Sequence, residues 1–314
     1  MTGKKLRQII ASSVFLLLAG GIFWFMFKNI FADLPLLAAY PWRIKWVFLI
    51  YSLCLSVMAS VMALKAGHVL SLGLGGEIPF PRFVFIFCIS QLSRYLPGRI
   101  WPVVGLSLML EREGVRRSVS IALPFVYQGI MIVVLFLLGL IFCGPAVANK
   151  LLHQSGSLVL WISAVLVLTV LCLPVLLRIF GGLSTITVAI ENYYGSVFLF
   201  LLSGTALSAA FFLFLCSIVS VSPKDAFHLG GSFLLSCVMG WIVLIAPAGL
   251  GVREGALAFL LSSVLPAGLS NVVALAARVW MMVAELILLG GVFLVLKMAR
   301  GRSPSGGLGR ERRE

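Results

Sequence analysis

Three pairs of charged residues stand where the chain is otherwise oily. Arg253 and Glu254 are neighbours in the run Pro-Ala-Gly-Leu-Gly-Val-Arg-Glu-Gly at 247–255, which interrupts an apolar segment. Arg94 and Arg99 flank Pro97 and Gly98 in a second interruption, and Arg278 and Glu285 stand seven apart in the last apolar stretch. Seven residues are about two helical turns, so the last pair shares a face. A guanidinium stays charged and grips phosphate oxygens with two parallel N–H donors. A charge at bilayer depth costs about 2.5–3.5 kcal/mol on insertion scales, so it is expected to face a protein interior or a wet cavity. These residues point to a buried anion-binding site. Arg94, Arg99 and Arg253 are expected to bind phosphate, with Arg278 facing the 247–255 run, Glu285 as its counter-charge or a proton site, and Glu254 and Glu285 balancing or gating charge. Gln91 and Gln128 add uncharged hydrogen-bonding groups from the same apolar blocks. Pro97, Gly98, Pro247, Gly249, Gly251 and Gly255 are expected to shape the broken backbone, because proline removes a donor and glycine permits tight turns. Neighbours on a helix point about 100° apart, so Arg253 and Glu254 should each find another partner. The competing reading for Arg94, Arg99 and Arg278 is snorkelling to the headgroup layer, which leaves Glu285 unexplained.

The elements that must hold these groups are transmembrane helices. Sixty-one per cent of the 314 residues are apolar and eleven per cent charged, and mean hydropathy is +1.13. That composition excludes a soluble fold and specifies an all-α polytopic membrane protein. The net charge of +14 is scattered over short loops and both ends, which reads as orientation signal and contact with anionic lipid, not nucleic-acid binding. The six cysteines and His68, His153 and His228 are isolated. No disulfide framework, metal site or other cofactor is expected.

Taken in order, Lys4, Lys5 and Arg7 precede an apolar run from Ile9 to Phe27, read as an uncleaved first span with its N-terminus inside. A second span is expected at Trp46–Leu64, followed by a Gly-rich loop from Lys65 to Arg82. Block 83–110 is broken around Pro97-Gly98 and precedes the charged loop 111–117, which the positive-inside rule places in the cytoplasm. With loops of one side at both ends, that block is expected to be a re-entrant hairpin. Further spans are expected at Val119–Phe142, Leu158–Leu177, Val197–Val219 and Asn271–Leu296, with an outer loop at 143–156 and a second broken block at 229–264. The whole forms a helical bundle over 1–299 and a disordered, basic, cytoplasmic tail over 300–314. About six full spans and two hairpins put both termini inside and make the hairpins enter from opposite faces, the inverted-repeat plan of many transporters. At an offset of 150, Phe83 matches Phe233, Pro97 matches Pro247, Gly105 matches Gly255 and Ser120 matches Ser270.

At the two motifs, Arg-Tyr-Leu-Pro-Gly-Arg-Ile-Trp at 94–101 and the run 247–255, followed by Arg278, the chain resembles the membrane domain of the lysylphosphatidylglycerol synthase and flippase family. That family includes the membrane half of certain dolichol-phosphate glycosyltransferases. The resemblance covers nearly the whole chain. Many members carry an acidic residue and Arg where this chain has Tyr127-Gln128. The resemblance implies movement of a lipid or lipid-linked headgroup between leaflets, and the reading that follows is an inner-membrane lipid transporter without covalent chemistry, not an enzyme. Its expected partners are anionic or polyprenyl-linked lipids. The alternative is a non-transporting accessory subunit that presents lipid to a lipid-modifying or glycosyltransferase enzyme. An integral glycosyltransferase would lean on Asp33 and need an outer donor-binding domain that the short loops do not supply.

Overall fold

A computed structural model describes residues 42–93, 101–181, 189–242 and 251–301, with positions 24, 28, 31, 35, 38 and 40. Nearly all of the expected first span, the centres of both broken blocks and residues 302–314 lie outside the described residues. Arg94, Arg99, Pro97, Gly98, Pro247 and Gly249 fall there.

Among the described residues every regular element is helical. The α-helices are α1 Trp46–Gly73, α2 Phe80–Leu92, α3 Trp101–Arg112, α4 Arg117–Gly181, α5 Ile190–Ile218, α6 Ala226–Ile242, α7 Val252–Leu261 and α8 Ala267–Gly301. Four stretches are long and apolar enough to cross a membrane: α1, the segment Arg117–Cys143 of α4, α5, and Ala267–Val295 of α8. This is compatible with an integral membrane protein.

The centre is the antiparallel pair α1 and α5. The N–H of Lys45 donates to Ser217 O at 2.8 Å at one end, and that of Ala189 to Gly73 O at 2.9 Å at the other. Midway, Ser203 Oγ donates to Ala59 O at 2.8 Å. Small residues at the contact, Ala59 against Ser203 and Gly73, where a Cβ would sit 2.9 Å from Asn192 Cβ, let the two backbones approach without a hydrophobic drive between helices.

The loop expected from Lys65 is corrected: helix α1 runs on to Gly73. Ala66 and Leu70 are buried, and a Cβ on Gly67 would sit 2.9 Å from the Tyr127 ring, so this turn packs against the bundle. Lys65 stays compatible with it by placing Nζ 5.0 Å over the Phe80 ring.

Each broken block is a helical hairpin. In the first, Arg82 of α2 pairs with Glu113, just after α3, at 2.8 Å, and Ser90 lies against Gly105 near the tip. In the second, His228 Nε2 of α6 meets Ser263 Oγ, just after α7, at 2.9 Å, and Gly240 touches the Arg253 stem near the tip. Helices α2 and α3 have 13 and 12 residues, roughly 20 and 18 Å at 1.5 Å per residue, short of the ~30 Å hydrocarbon thickness. The first hairpin leaves from the Gly73 end of α1 and the second from the Ile218 end of α5. Because those helices are antiparallel, the hairpins point at each other from opposite ends.

Helix α4 contains Pro124, which denies Ser120 O its usual i+4 donor. Ser107 Oγ of α3 lies 2.9 Å from that carbonyl and 2.9 Å from Val103 O; Val103 O has a helical N–H donor, so the single hydroxyl proton is best used on Ser120 O, tying the first hairpin to α4. The loop expected at 143–156 is also corrected, since its backbone is helical throughout. Leu, Ala, Lys and Gln dominate 146–154, and their helix propensity outweighs the single Pro145. The chain nevertheless doubles back. A straight helix would carry Val170 roughly 64 Å beyond Tyr127, yet the Val170 carbonyl accepts from Tyr193 Oη at 2.8 Å. Tyr193 is two turns from Phe200, whose ring is 5.1 Å from Tyr127.

Candidate functional site

Glu254 is the most buried charge at the meeting point of the hairpins, at 1 % exposure. It stands in the first turn of α7, where a carboxylate complements the exposed N–H groups and the positive end of the helix dipole. Its Oε2 accepts from Gly251 N–H at 2.8 Å, and its Oε1 accepts from Arg278 Nη1 of α8. One side chain therefore caps α7 and joins it to α8. Gly251 precedes the helix with φ of +82°, a conformation that tolerates glycine and little else. Gly255 does not shape the break as expected, because its N–H bonds Gly251 O at 2.8 Å within the first turn of α7.

Arg253 turns the other way, as the 100° step between neighbours requires. Its guanidinium lies 5.1 Å over the Phe233 ring and donates from Nη2 to Met281 Sδ. The stem packs on Gly240, where a Cβ would approach Arg253 Cβ to 3.0 Å. The aromatic face and the thioether hold the cation without neutralising it.

Arg253, Arg278 and Glu285 line a cavity of about 340 Å³ together with Gln91 and Gln128. An adjoining cavity of about 210 Å³ shares Gln91, Gln128, Trp241 and Glu285, and its wall adds aliphatic residues such as Ala63, Leu135 and Leu288, the aromatic Phe200, and Ser60 and Ser203. The structure thus brings Gln91, Gln128, Arg253, Glu254, Arg278 and Glu285 together. Arg278 faces the 247–255 run as expected and pairs with Glu254. Glu285 is in the same wall two turns on. Gln128 and Arg278 each stand eleven residues from the first residue of their helix, Arg117 and Ala267, about 17 Å along it, so the chamber sits deep between the ends of the bundle.

Sequence reasoning missed Phe233, Gly240 and Met281. A glycine one turn before the helix break, opposite an arginine stem, carries a faint signal; Met281, three residues after Arg278, carries one only once that face is known. Trp241 lines both cavities. Trp280 is packing: its ring stacks 5.1 Å from Phe214 and its Nε1 donates to Ser52 Oγ at 3.0 Å.

Among the described residues no group of His, Cys, Asp or Glu is placed to hold a metal ion. The chamber can bind an anionic group through guanidinium and amide donors. No protein-family model matches the chain, and no curated protein matches it.

Proposed function

We propose that this chain is an integral membrane lipid transporter that moves an anionic phospholipid or polyprenyl-phosphate-linked headgroup between leaflets through a midplane cavity, without covalent chemistry. The observation that carries this reading is the Arg253 guanidinium, held on Phe233 and Met281 at the wall of a chamber between two opposed hairpins. A cation seated so deep in an oily bundle costs free energy that an anionic ligand offsets. The resemblance to the lysylphosphatidylglycerol synthase and flippase family points the same way. The proposed setting is the inner membrane, with both termini cytoplasmic, six full spans and two re-entrant hairpins.

An inverted repeat supports transport by rocking of two halves about a central site. The order long helix, two short helices, long helix occurs twice, over α1–α4 and α5–α8. At the offset of 150, four pairs of positions line the same cavity: Phe87 and Cys237, Gln91 and Trp241, Val103 and Arg253, Gln128 and Arg278. Ser120 and Ser270 are both fully buried and donate backbone N–H bonds of 2.9 Å to Arg116 O and Pro266 O.

The test is leaflet-resolved dithionite quenching of fluorescent phosphatidylglycerol in liposomes holding the purified protein. Wild type should exceed protein-free vesicles. Arg253→Ala should be slower by about tenfold or more, since a hydrogen bond to a charged group contributes about 1.5–3 kcal/mol. Equal rates in wild-type, variant and empty vesicles across several anionic lipids would overturn the reading.

A further inference from the structure

We infer that the chamber is loaded sideways, through a gap between α4 and α8, and that its ligand is a phospholipid whose chains stay outside in hydrocarbon, not a water-soluble phosphate. This rests on the transport reading and adds to it a route and a substrate class. Both α4 and α8 line the 340 Å³ cavity, yet among the described residues the two helices do not pack along one another. Where they flank it, the same side chains belong to the cavity wall and to the outer surface. Phe125 of α4 is 62 % exposed and Met282 of α8 is 42 % exposed, and both line the chamber. Gly129, one turn beyond Phe125, is exposed, lines the chamber too, and has no atom within 4 Å of where a Cβ would stand.

The depth of this opening decides what can use it. Phe293, near the end of α8, packs 6.1 Å from Phe85 of the first hairpin. That hairpin's open end, Arg82 and Glu113, adjoins the start of α4, so α4 and α8 are antiparallel. Phe125 is eight residues past Arg117 and Met282 is thirteen before Val295, roughly 12 and 20 Å from the same end of the bundle. The gap is in the flank, at a level where a bilayer offers hydrocarbon and no water. Among the described residues its rim holds Phe125, Gly129 and Met282, while Arg253 and Arg278 line the chamber within. A free phosphate would have to cross hydrocarbon to reach them. A phospholipid can swing its headgroup inward between α4 and α8 and leave its acyl chains among its neighbours.

Gly129 gives the test. Gly129→Ala should be accommodated and Gly129→Trp should fill the gap. In the dithionite assay Gly129→Trp should be slower than Gly129→Ala by at least about tenfold. Radiolabelled glycerol phosphate should enter wild-type vesicles no faster than empty ones. A monodisperse Gly129→Trp protein with wild-type flux, or protein-dependent entry of glycerol phosphate, overturns the inference. A second measurement does not depend on transport or on the variant. Phosphatidylglycerol carrying an acyl-chain diazirine, irradiated with the wild-type protein in liposomes, should label the peptides holding Phe125–Gly129 and Met282 well above the exposed Ile50–Tyr51 surface of α1. Unlabelled phosphatidylglycerol should compete and glycerol phosphate should not. Labelling of the three peptides in proportion to exposure alone overturns the side entry, whereas absent flux with selective labelling overturns only the transport reading.

Discussion

Replacing Arg278 by Met removes a cation from a carboxylate that has nowhere else to place its charge. Glu254 is 1 % exposed and the Arg278 side chain 19 %, so water screens neither group well. With Arg278 gone, Glu254 keeps the Gly251 N–H but loses its charged donor. Stranding one member of a buried ion pair costs about 3–5 kcal/mol. The second substitution gives the reasoning its edge. Glu254→Gln on the Arg278→Met background removes the stranded charge, and the amide oxygen still accepts from Gly251. A neutral, well-packed replacement of a buried pair is often without net cost, so the double variant should recover most of the loss. At about 2 °C per kcal/mol, the soluble-domain scaling for larger chains, Arg278→Met should lower the melting temperature by roughly 6–10 °C and the double variant by less than about 3 °C. Detergent-solubilised protein followed by fluorescence-detected size exclusion after heating measures both. An Arg278→Met protein that melts within 1 °C of wild type, or a double variant less stable than the single, would refute the account of Glu254 as a buried, paired charge.

Two further perturbations test the scaffold by the same heating assay. Ser107→Ala should destabilise by about 1–3 kcal/mol by leaving Ser120 O without a donor, and Pro124→Ala on that background should restore stability by returning an N–H to α4; failure of the rescue would show that the Ser107 hydroxyl matters for another reason. Gly251→Ala should cost about 1–3 kcal/mol through strain at φ of +82°, and a loss below about half a kcal/mol would mean the turn before α7 is not fixed as described.

What the sequence made legible follows from contrast. Proline, glycine and arginine inside long apolar runs mark places where helix and hydrocarbon both fail, so both hairpins and the residues Arg253, Glu254, Arg278 and Glu285 stood out before any coordinates. Their divergent directions were legible too, because a 100° step makes a direct bridge between Arg253 and Glu254 awkward. The partner itself was not, since Arg278 is 24 positions from Glu254 and no local pattern couples them. Element ends failed where composition misleads. Lys65 and His68 look like a loop, but one sets its ammonium over the Phe80 ring and the other is buried among aromatic rings. Residues 143–156 look like a loop for their Gly, Pro and polar groups, although most are sound helix formers. The help Ser107 gives Pro124 depends on two helices meeting, and serine is too common in this chain to draw notice.

The shortness of the hairpin helices bears on how the protein is made. Synthesis runs from the N-terminus, so the first hairpin is delivered while the residues that will share its cavity, Gly240, Trp241 and Arg253, are still more than a hundred codons away. Until they arrive, Gln91 has half a chamber for company. The nascent first half must therefore wait in an unfinished state, and a ribosome that stops after α4 releases a product that can only be degraded or clump with its own kind.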